Sequence, residues 1–324
     1  MIEGHGDDAY KYEGITSDFS SNICAHVSHQ GLLNHLAAHP ELIDHYPEPE
    51  AWSLEKMIAE RHGIEPGQVL VTSGATEAIY LIARAFPLRP TIPEPTFSEY
   101  ADAYRHASLS HLPSSILWLC NPNNPTGKVY DQLFIDRMMA EHELVVLDQS
   151  YELYTDAPVM SPRWGCRTPY CLQIHSMTKN YGVPGLRLGY ITGHASLLDQ
   201  ARRHMHPWSV SALAIEAGKY LLGHDELLCR PDLEEAARLG ERLRGIGGIE
   251  VMPTQTNFML CQLKHRNASE LKEYLAKEHH ILIRDASNFR GLTPQHFRIA
   301  AQTATENDAL ADAIADFVTT DGHA

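Results

Sequence analysis

The chain has 324 residues, 44% of them apolar and 21% charged, and a formal net charge of −15 at pH 7. That length can bury a sizeable core and exceeds one simple domain, so a large lobe and a smaller one are expected. The negative charge, with no run of Lys and Arg, argues against a nucleic-acid backbone as partner, and no apolar run approaches the ~20 residues that cross a bilayer.

The first residues, MIEGHGDDAYKYEG, lack the basic region and apolar run of a secretory signal, which predicts a cytoplasmic protein. Six scattered cysteines without a CxxC pair argue against a zinc site and a disulfide framework, and twenty histidines without HExxH spacing predict no catalytic metal. Residues 1–30 carry Gly, Ser and Asn without a long periodic run and are expected to form an arm packing on the smaller lobe. Over 31–224, short apolar runs at 69–72, 116–120, 144–147, 171–175 and 188–192 alternate with helical periodicity. This predicts an α/β domain with a mostly parallel central sheet flanked by helices. Over 225–324 the rhythm becomes a helix at 231–243, strands near Glu250 and at 256–263, a helix at 268–277, and strands at 281–283 and 297–300. That pattern predicts a smaller α+β domain.

In an open parallel sheet, ligands bind beyond the carboxyl ends of the strands, so the residues after each run are the candidates. The first run leads into Ser73-Gly74-Ala75-Thr76-Glu77 and an apolar helix, a turn whose free N–H groups and Thr76 hydroxyl can cradle a phosphate. Taken alone, it reads equally well as a helix cap. The second leads into Asn121-Pro122-Asn123-Asn124-Pro125-Thr126-Gly127, where prolines fix φ and asparagines keep directional hydrogen bonds. The third delivers Asp148, with Tyr151 three residues on. A carboxylate ending a buried strand is costly unless paired, for example with a protonated ring nitrogen, although Asp also serves as a plain strand cap. The fourth leads into Ser176-Met177-Thr178-Lys179, with Arg187 eight positions later, a spacing suited to a Schiff-base lysine and a cationic phosphate clamp.

These four stretches, in this order and each after its own strand, resemble the fold type I enzymes that use pyridoxal 5'-phosphate, the aspartate aminotransferase superfamily. The resemblance implies that Lys179 binds the cofactor covalently and that Asp148 keeps its pyridine nitrogen protonated. Asn124 and Tyr151 would bond its 3'-oxygen, and Phe97, in Glu94-Pro95-Thr96-Phe97, would stack on the ring. Gly74, Ala75, Thr76, Ser176, Thr178 and Arg187 would hold the phosphate. Tyr46, in His45-Tyr46-Pro47, would reach the phosphate of a neighbouring subunit, which implies a homodimer. Without the surrounding motifs, Tyr46 and Phe97 read as ordinary aromatic packing.

Further stretches resemble the histidinol-phosphate aminotransferase branch and, within it, the L-threonine O-3-phosphate decarboxylases. They are Asp18-Phe19-Ser20-Ser21-Asn22-Ile23, Phe97-Ser98-Glu99-Tyr100, the segments 207–214 and 281–292, and Phe297-Arg298-Ile299-Ala300. The resemblance implies that Arg284 and Arg298 bind the substrate's anionic groups and that His5, Gly6 and Asn22 line the same pocket. It implies decarboxylation of L-threonine O-3-phosphate to (R)-1-amino-2-propanol O-phosphate and CO2, in cobalamin biosynthesis. An aminotransferase of the histidinol-phosphate type would keep the same cofactor residues, whereas a non-catalytic binding protein on this fold would be expected to lose Lys179 or Asp148. Arg284 could instead form a surface ion pair with Asp285 or Glu278. Two features depart from the pattern: Gln149-Ser150 stands where relatives usually carry Glu-Ala, and the segment 104–115 is shortened.

Overall fold

Strands form where apolar runs can be covered on both faces. In a computed structural model, which describes residues 8–23, 27–105 and 115–319, the strands in chain order are β1 Ser17–Asp18, β2 Val69–Thr72, β3 Arg89–Thr91, β4 Ser115–Cys120, β5 Leu144–Asp148, β6 Cys171–Ser176, β7 Gly189–Gly193, β8 Ile249–Val251, β9 Phe258–Leu263, β10 Ile281–Leu282, β11 Arg284–Asp285 and β12 His296–Ala300. Six make one sheet in the order β2-β7-β6-β5-β4-β3. Strands β3 to β6 run parallel, and β7 is antiparallel to both its neighbours.

Side chains alternate across this sheet, so each strand feeds two cores. Leu70 joins Ile79 and Ile82 of helix Gly74–Ala85, with Trp118 and Val146. Val69 and Val71 face the other way, onto Leu54 and Ile58 of helix Trp52–His62 and Ile215 of helix Ala212–Leu222. Gly63, in the left-handed conformation at φ 63°, ends the Trp52 helix. Strand β3 was not anticipated: Arg89 and Thr91 are exposed, and Pro90 is tolerated because β3 is an edge strand.

A second sheet, β11-β12-β9-β8, is antiparallel. Helices Leu233–Arg244, Ala268–Glu278 and Ala304–Thr319 bury Leu239, Leu275 and Ile314 against it. The strand expected at 281–283 ends at Leu282, and a separate strand follows it at Arg284–Asp285. Ile281 and Leu282 pair in parallel with Ser17 and Asp18, while Arg284 moves to the other sheet opposite Arg298. The N-terminal segment causes the split, because the Phe19 N–H donates to the Leu282 carbonyl at 2.8 Å and its own carbonyl accepts from Ala300 at 2.9 Å. Phe19 is fully buried in the core of the second sheet, which contributes about 2–3 kcal/mol to holding the arm there. Among the described residues no helix is long and apolar enough to cross a membrane.

Two buried ion pairs set testable stabilities. Glu55 accepts two hydrogen bonds from Arg202, each at 3.2 Å, and one from the Val71 N–H at 3.1 Å. Burial still leaves its carboxyl above the ordinary value. Arg202→Met should therefore destabilise the protein by about 3 kcal/mol in urea unfolding, with much of the loss recovered in the Arg202→Met/Glu55→Met double variant. A loss under about 0.5 kcal/mol would contradict the pairing.

Asp8 ties the arm to Lys272, whose Nζ donates to both its carboxylate oxygens at 2.8 and 2.6 Å. Burial pushes the Asp8 carboxyl up, but Lys272 and Lys11 outweigh it and hold the group below 3.8. A carboxyl depressed in the folded state stabilises above its unfolded value and loses that contribution as pH falls through the folded one. The urea midpoint of Asp8→Asn should accordingly lie below that of the parent near pH 7 and converge with it as pH falls through the folded value of Asp8. A gap that persists unchanged in acid would rule out the charge pair as its source.

Candidate active site

The carboxyl ends of β2, β4, β5 and β6 open on one cleft of about 300 Å³. It gathers eleven of the residues singled out above: Ala75, Thr76, Phe97, Asn124, Asp148, Tyr151, Ser176, Thr178, Lys179, Arg187 and Arg298. They come from separate loops and from both sheets. Parallel pairing brings the loops together, since Cys120 is in register with Asp148 and Asp148 with Ile174.

Asp148 ends β5 at 3% exposure. Its Oδ1 accepts from the Ser150 N–H at 2.9 Å and the Ser150 hydroxyl at 2.6 Å, and its Oδ2 accepts from the Tyr100 hydroxyl at 2.7 Å. Burial raises the Asp148 carboxyl above its ordinary value despite these donors. A cationic ring nitrogen is the partner such a group needs. Tyr100 and Ser150 were not among the predicted site residues. Ser150 stands at one of the two positions that depart from the family pattern, and the hydroxyl it brings binds the carboxylate directly. The other, Gln149, is fully buried; its amide donates to the Met160 carbonyl at 2.9 Å and its Oε1 accepts from Gln173, away from the cleft.

At the opposite end, helix Gly74–Ala85 begins without a side-chain cap, so the N–H groups of its first turn, with the Thr76, Ser176 and Thr178 hydroxyls and Arg187, form an anion-binding end. Gly74 has φ +82°, and a Cβ there would come within 2.9 Å of Arg187 Nη2. A Cβ at Gly189 would approach the His175 carbonyl at 2.8 Å and the Ala75 nitrogen at 2.9 Å. Both positions require glycine for the turn and the guanidinium to converge. Arg187 itself holds a left-handed φ of 52°, a strained conformation that costs about 1 kcal/mol.

Lys179 lies in the short helix Met177–Tyr181 directly after β6. Its Nζ donates to the Ser21 carbonyl at 2.7 Å and sits 5.7 Å from the centre of the Tyr151 ring. Burial pushes the Tyr151 hydroxyl up to about 12, opposed by the charge of Arg298. Arg298 reaches the cleft from β12. It donates through Nη1 to Asn124 Oδ1 at 2.5 Å and through Nη2 to the Ser20 carbonyl, while its buried Nε has no hydrogen-bond partner. Carbonyls of the arm thus bond both the lysine and the arginine.

The other predicted residues lie elsewhere. Asn22 is buried beside the Tyr151 hydroxyl without lining the cleft. Arg284 also stays behind the wall: it is 6% exposed and donates to Asn288 Oδ1 at 2.7 Å, so it is not a surface ion pair. Burial, then the charge of Arg298, bring its guanidinium down to about 10. Asn288 and Phe97 line an adjoining recess. Tyr46 is 84% exposed and packs against Trp208, away from the cleft. His5 and Gly6 lie outside the described residues, as does most of the shortened segment 104–115.

A family model described as class I and II aminotransferases matches residues 16–112 and 96–314. The fold is similar to that of L-threonine-O-3-phosphate decarboxylase from Porphyromonas gingivalis, with a TM-score of 0.86, 35% identity, and coverage of 93% of this chain and 99% of that one. The sequence is 28% identical to the threonine-phosphate decarboxylase of Salmonella typhimurium over 93% of this chain and 91% of that protein. It is 27% identical to histidinol-phosphate aminotransferase 1 of Thiobacillus denitrificans over 86% of this chain and 80% of that protein. A buried carboxylate at one end of the cleft, a glycine-lined anion cradle at the other and a lysine between them fit the ring nitrogen, phosphate and aldehyde of pyridoxal 5'-phosphate. The chain belongs to the class I and II aminotransferase family, the fold type I enzymes that depend on pyridoxal 5'-phosphate.

Proposed function

We propose that the protein decarboxylates L-threonine O-3-phosphate to (R)-1-amino-2-propanol O-phosphate and CO2, supplying the cobalamin side chain. The observation that carries this reading is Arg298, a buried guanidinium lining the cleft with its Nε unpartnered, to which Arg284 adds charge from behind the wall. Arg284 and Arg298 occupy facing positions on β11 and β12, both buried. Among the described residues their hydrogen-bond partners are a side-chain amide for Arg284, and a side-chain amide and a backbone carbonyl for Arg298. Asp285 and Asp8 act on Arg284 and Asp18 on Arg298, but buried charges cost several kcal/mol each unless anions pair with them closely, and a phosphorylated amino acid brings both a carboxylate and a phosphate. Similarity to threonine-phosphate decarboxylases along nearly the whole chain supports the same substrate.

In this reading the arm, 1–30, closes a cleft between a cofactor-holding domain, 31–224, and a domain, 225–324, that supplies both arginines. Pyridoxal 5'-phosphate, when bound, supplies a conjugated sink for the electron pair left on Cα. Lys179 tethers it, and Nζ is the group we assign to carry the proton to or from Cα. Asp148 retains the proton on the ring nitrogen, with Tyr100 and Ser150 fixing its carboxylate. Phe97 would cover the ring and exclude water, and Asn124 and Tyr151 would hydrogen-bond its 3'-oxygen. Arg298 grips the substrate's anion, and the angle at which it holds the carboxylate selects the bond to Cα that breaks. Tyr46, exposed on the single chain, is assigned to the neighbouring site of a homodimer.

The cofactor-loaded protein should release CO2 from L-threonine O-3-phosphate, and Lys179→Ala should abolish both that release and the visible absorption band of the bound cofactor. Glutamate formation from 2-oxoglutarate and an amino donor without CO2 would instead identify an aminotransferase of the histidinol-phosphate type. Tyr100→Phe removes one hydrogen bond to an ionised group, about 1.5–3 kcal/mol. Steady-state assays should therefore show kcat reduced by about tenfold or more, and unchanged kcat would mean that this hydroxyl does not support Asp148.

A further inference from the structure

We propose that His175, Glu152 and Asn180 form a positioning unit that locks the Lys179 turn to the Tyr151 loop, an inference that rests on Lys179 being the cofactor's attachment point. None of the three lines the cleft. Each is the chain neighbour of a residue that does: Glu152 follows Tyr151, Asn180 follows Lys179, and His175 precedes Ser176.

The three side chains meet behind the cleft wall. His175 is fully buried, with Nδ1 3.1 Å from Glu152 Oε2 and Nε2 3.0 Å from the Thr192 hydroxyl on β7. Glu152 Oε1 accepts from Asn180 Nδ2 at 2.9 Å. The Tyr190 ring stacks on His175 at 4.6 Å and 17°, and its hydroxyl is 2.9 Å from His62 Nε2, so His175 has no room to swing away. The unit therefore joins β5's loop, the helix turn after β6, and β7.

Packing alone does not call for these residues. Leu172 and Ile174, on the same strand, fill their places with apolar side chains, and an imidazole and a carboxylate buried there cost free energy unless bonded to one another. Burial pushes the Glu152 carboxyl up, yet His175 and Asn180 outweigh it and hold the group below the usual carboxylate range. The titratable groups facing the pair are His62, whose imidazole burial pushes down to about 4 and so leaves neutral near pH 7, and Asp148 at the end of β5, whose carboxylate His175 also favours in its ionised form. The strap's effect on chemistry is geometric: catalytic groups tolerate displacements of only about 0.5 Å, and it reinforces the tie made by the Tyr154 hydroxyl, which donates to the Lys179 carbonyl at 3.0 Å, in holding the Tyr151 hydroxyl and the Lys179 amine at a fixed separation.

The test uses the full cofactor-loaded protein with Glu152→Gln, Glu152→Asp and His175→Gln. It reads the pH midpoint of the bound cofactor's visible band, kcat and KM for L-threonine O-3-phosphate, and thermal stability. Glu152→Gln and His175→Gln should move the band's midpoint by about half a unit or more. They should lower kcat about 10- to 100-fold with KM within about threefold of the parent, and Glu152→Asp should restore part of both. A midpoint and kcat within about twofold of the parent, with only the thermal midpoint lowered, would overturn the proposal and leave a structural ion pair. Should His175→Gln fail to fold, the near-isosteric Glu152→Gln decides alone. A parent protein with no such band, even after added pyridoxal 5'-phosphate, would instead overturn the reading of Lys179.

Discussion

Burial of the Asp148 carboxylate is the costliest placement in the large sheet, and much of the nearby structure offsets it. The strand bearing it is hydrogen-bonded on both sides, so its end has no freedom to turn the carboxylate toward water. Two hydroxyls and one backbone N–H converge on it. Tyr100 can supply its hydroxyl because its ring is stacked on Trp118 at 5.4 Å, and Trp118 in turn donates to the Tyr104 hydroxyl at 3.1 Å. A stretch of aromatic core thus serves an electrostatic purpose: it aims one donor at one carboxylate oxygen. The residual imbalance, a carboxyl still raised by burial, is one that a cationic partner would relieve.

The second sheet matters to this site through one side chain and one segment. Arg298 crosses from β12 to Asn124 on the loop after β4, bonding the two lobes inside the cleft. The arm passes between them, pairing with β10 and offering the Ser20 and Ser21 carbonyls to Arg298 and Lys179. A substrate anion that displaced either carbonyl contact would exchange a neutral acceptor for a charged one, so binding and rearrangement of the arm are energetically linked.

Much of the cleft was legible because Thr76, Asn124, Asp148 and Lys179 sit at or just after the ends of buried strands, and strands buried on both faces read as unbroken apolar runs. Residues off those strand ends were harder to see. Tyr100 lies on a four-residue helix, and its role depends on a carboxylate 48 positions away. The stretch Phe97-Ser98-Glu99-Tyr100 carries the family resemblance, but nothing local gives Tyr100 its role. Arg284 illustrates a different limit: its strand is two residues long and changes sheet because β1 takes the preceding pair, a competition that periodicity does not reveal. Helix Ala304–Thr319 is not among the elements read from the sequence, although Leu310, Ile314 and Phe317 keep one buried stripe at helical spacing. His175 looked like one histidine among twenty, and only tertiary contact distinguishes it.

The most direct test of the account is to reduce the cofactor-loaded protein with borohydride, digest it and map the modified lysine by mass spectrometry. Reduction fixes the cofactor to whichever amine holds it, independently of substrate and reaction. The account predicts a pyridoxyl phosphate group on the peptide containing Ser176-Met177-Thr178-Lys179, attached at Lys179. A label on a different lysine, or none at all, would contradict it.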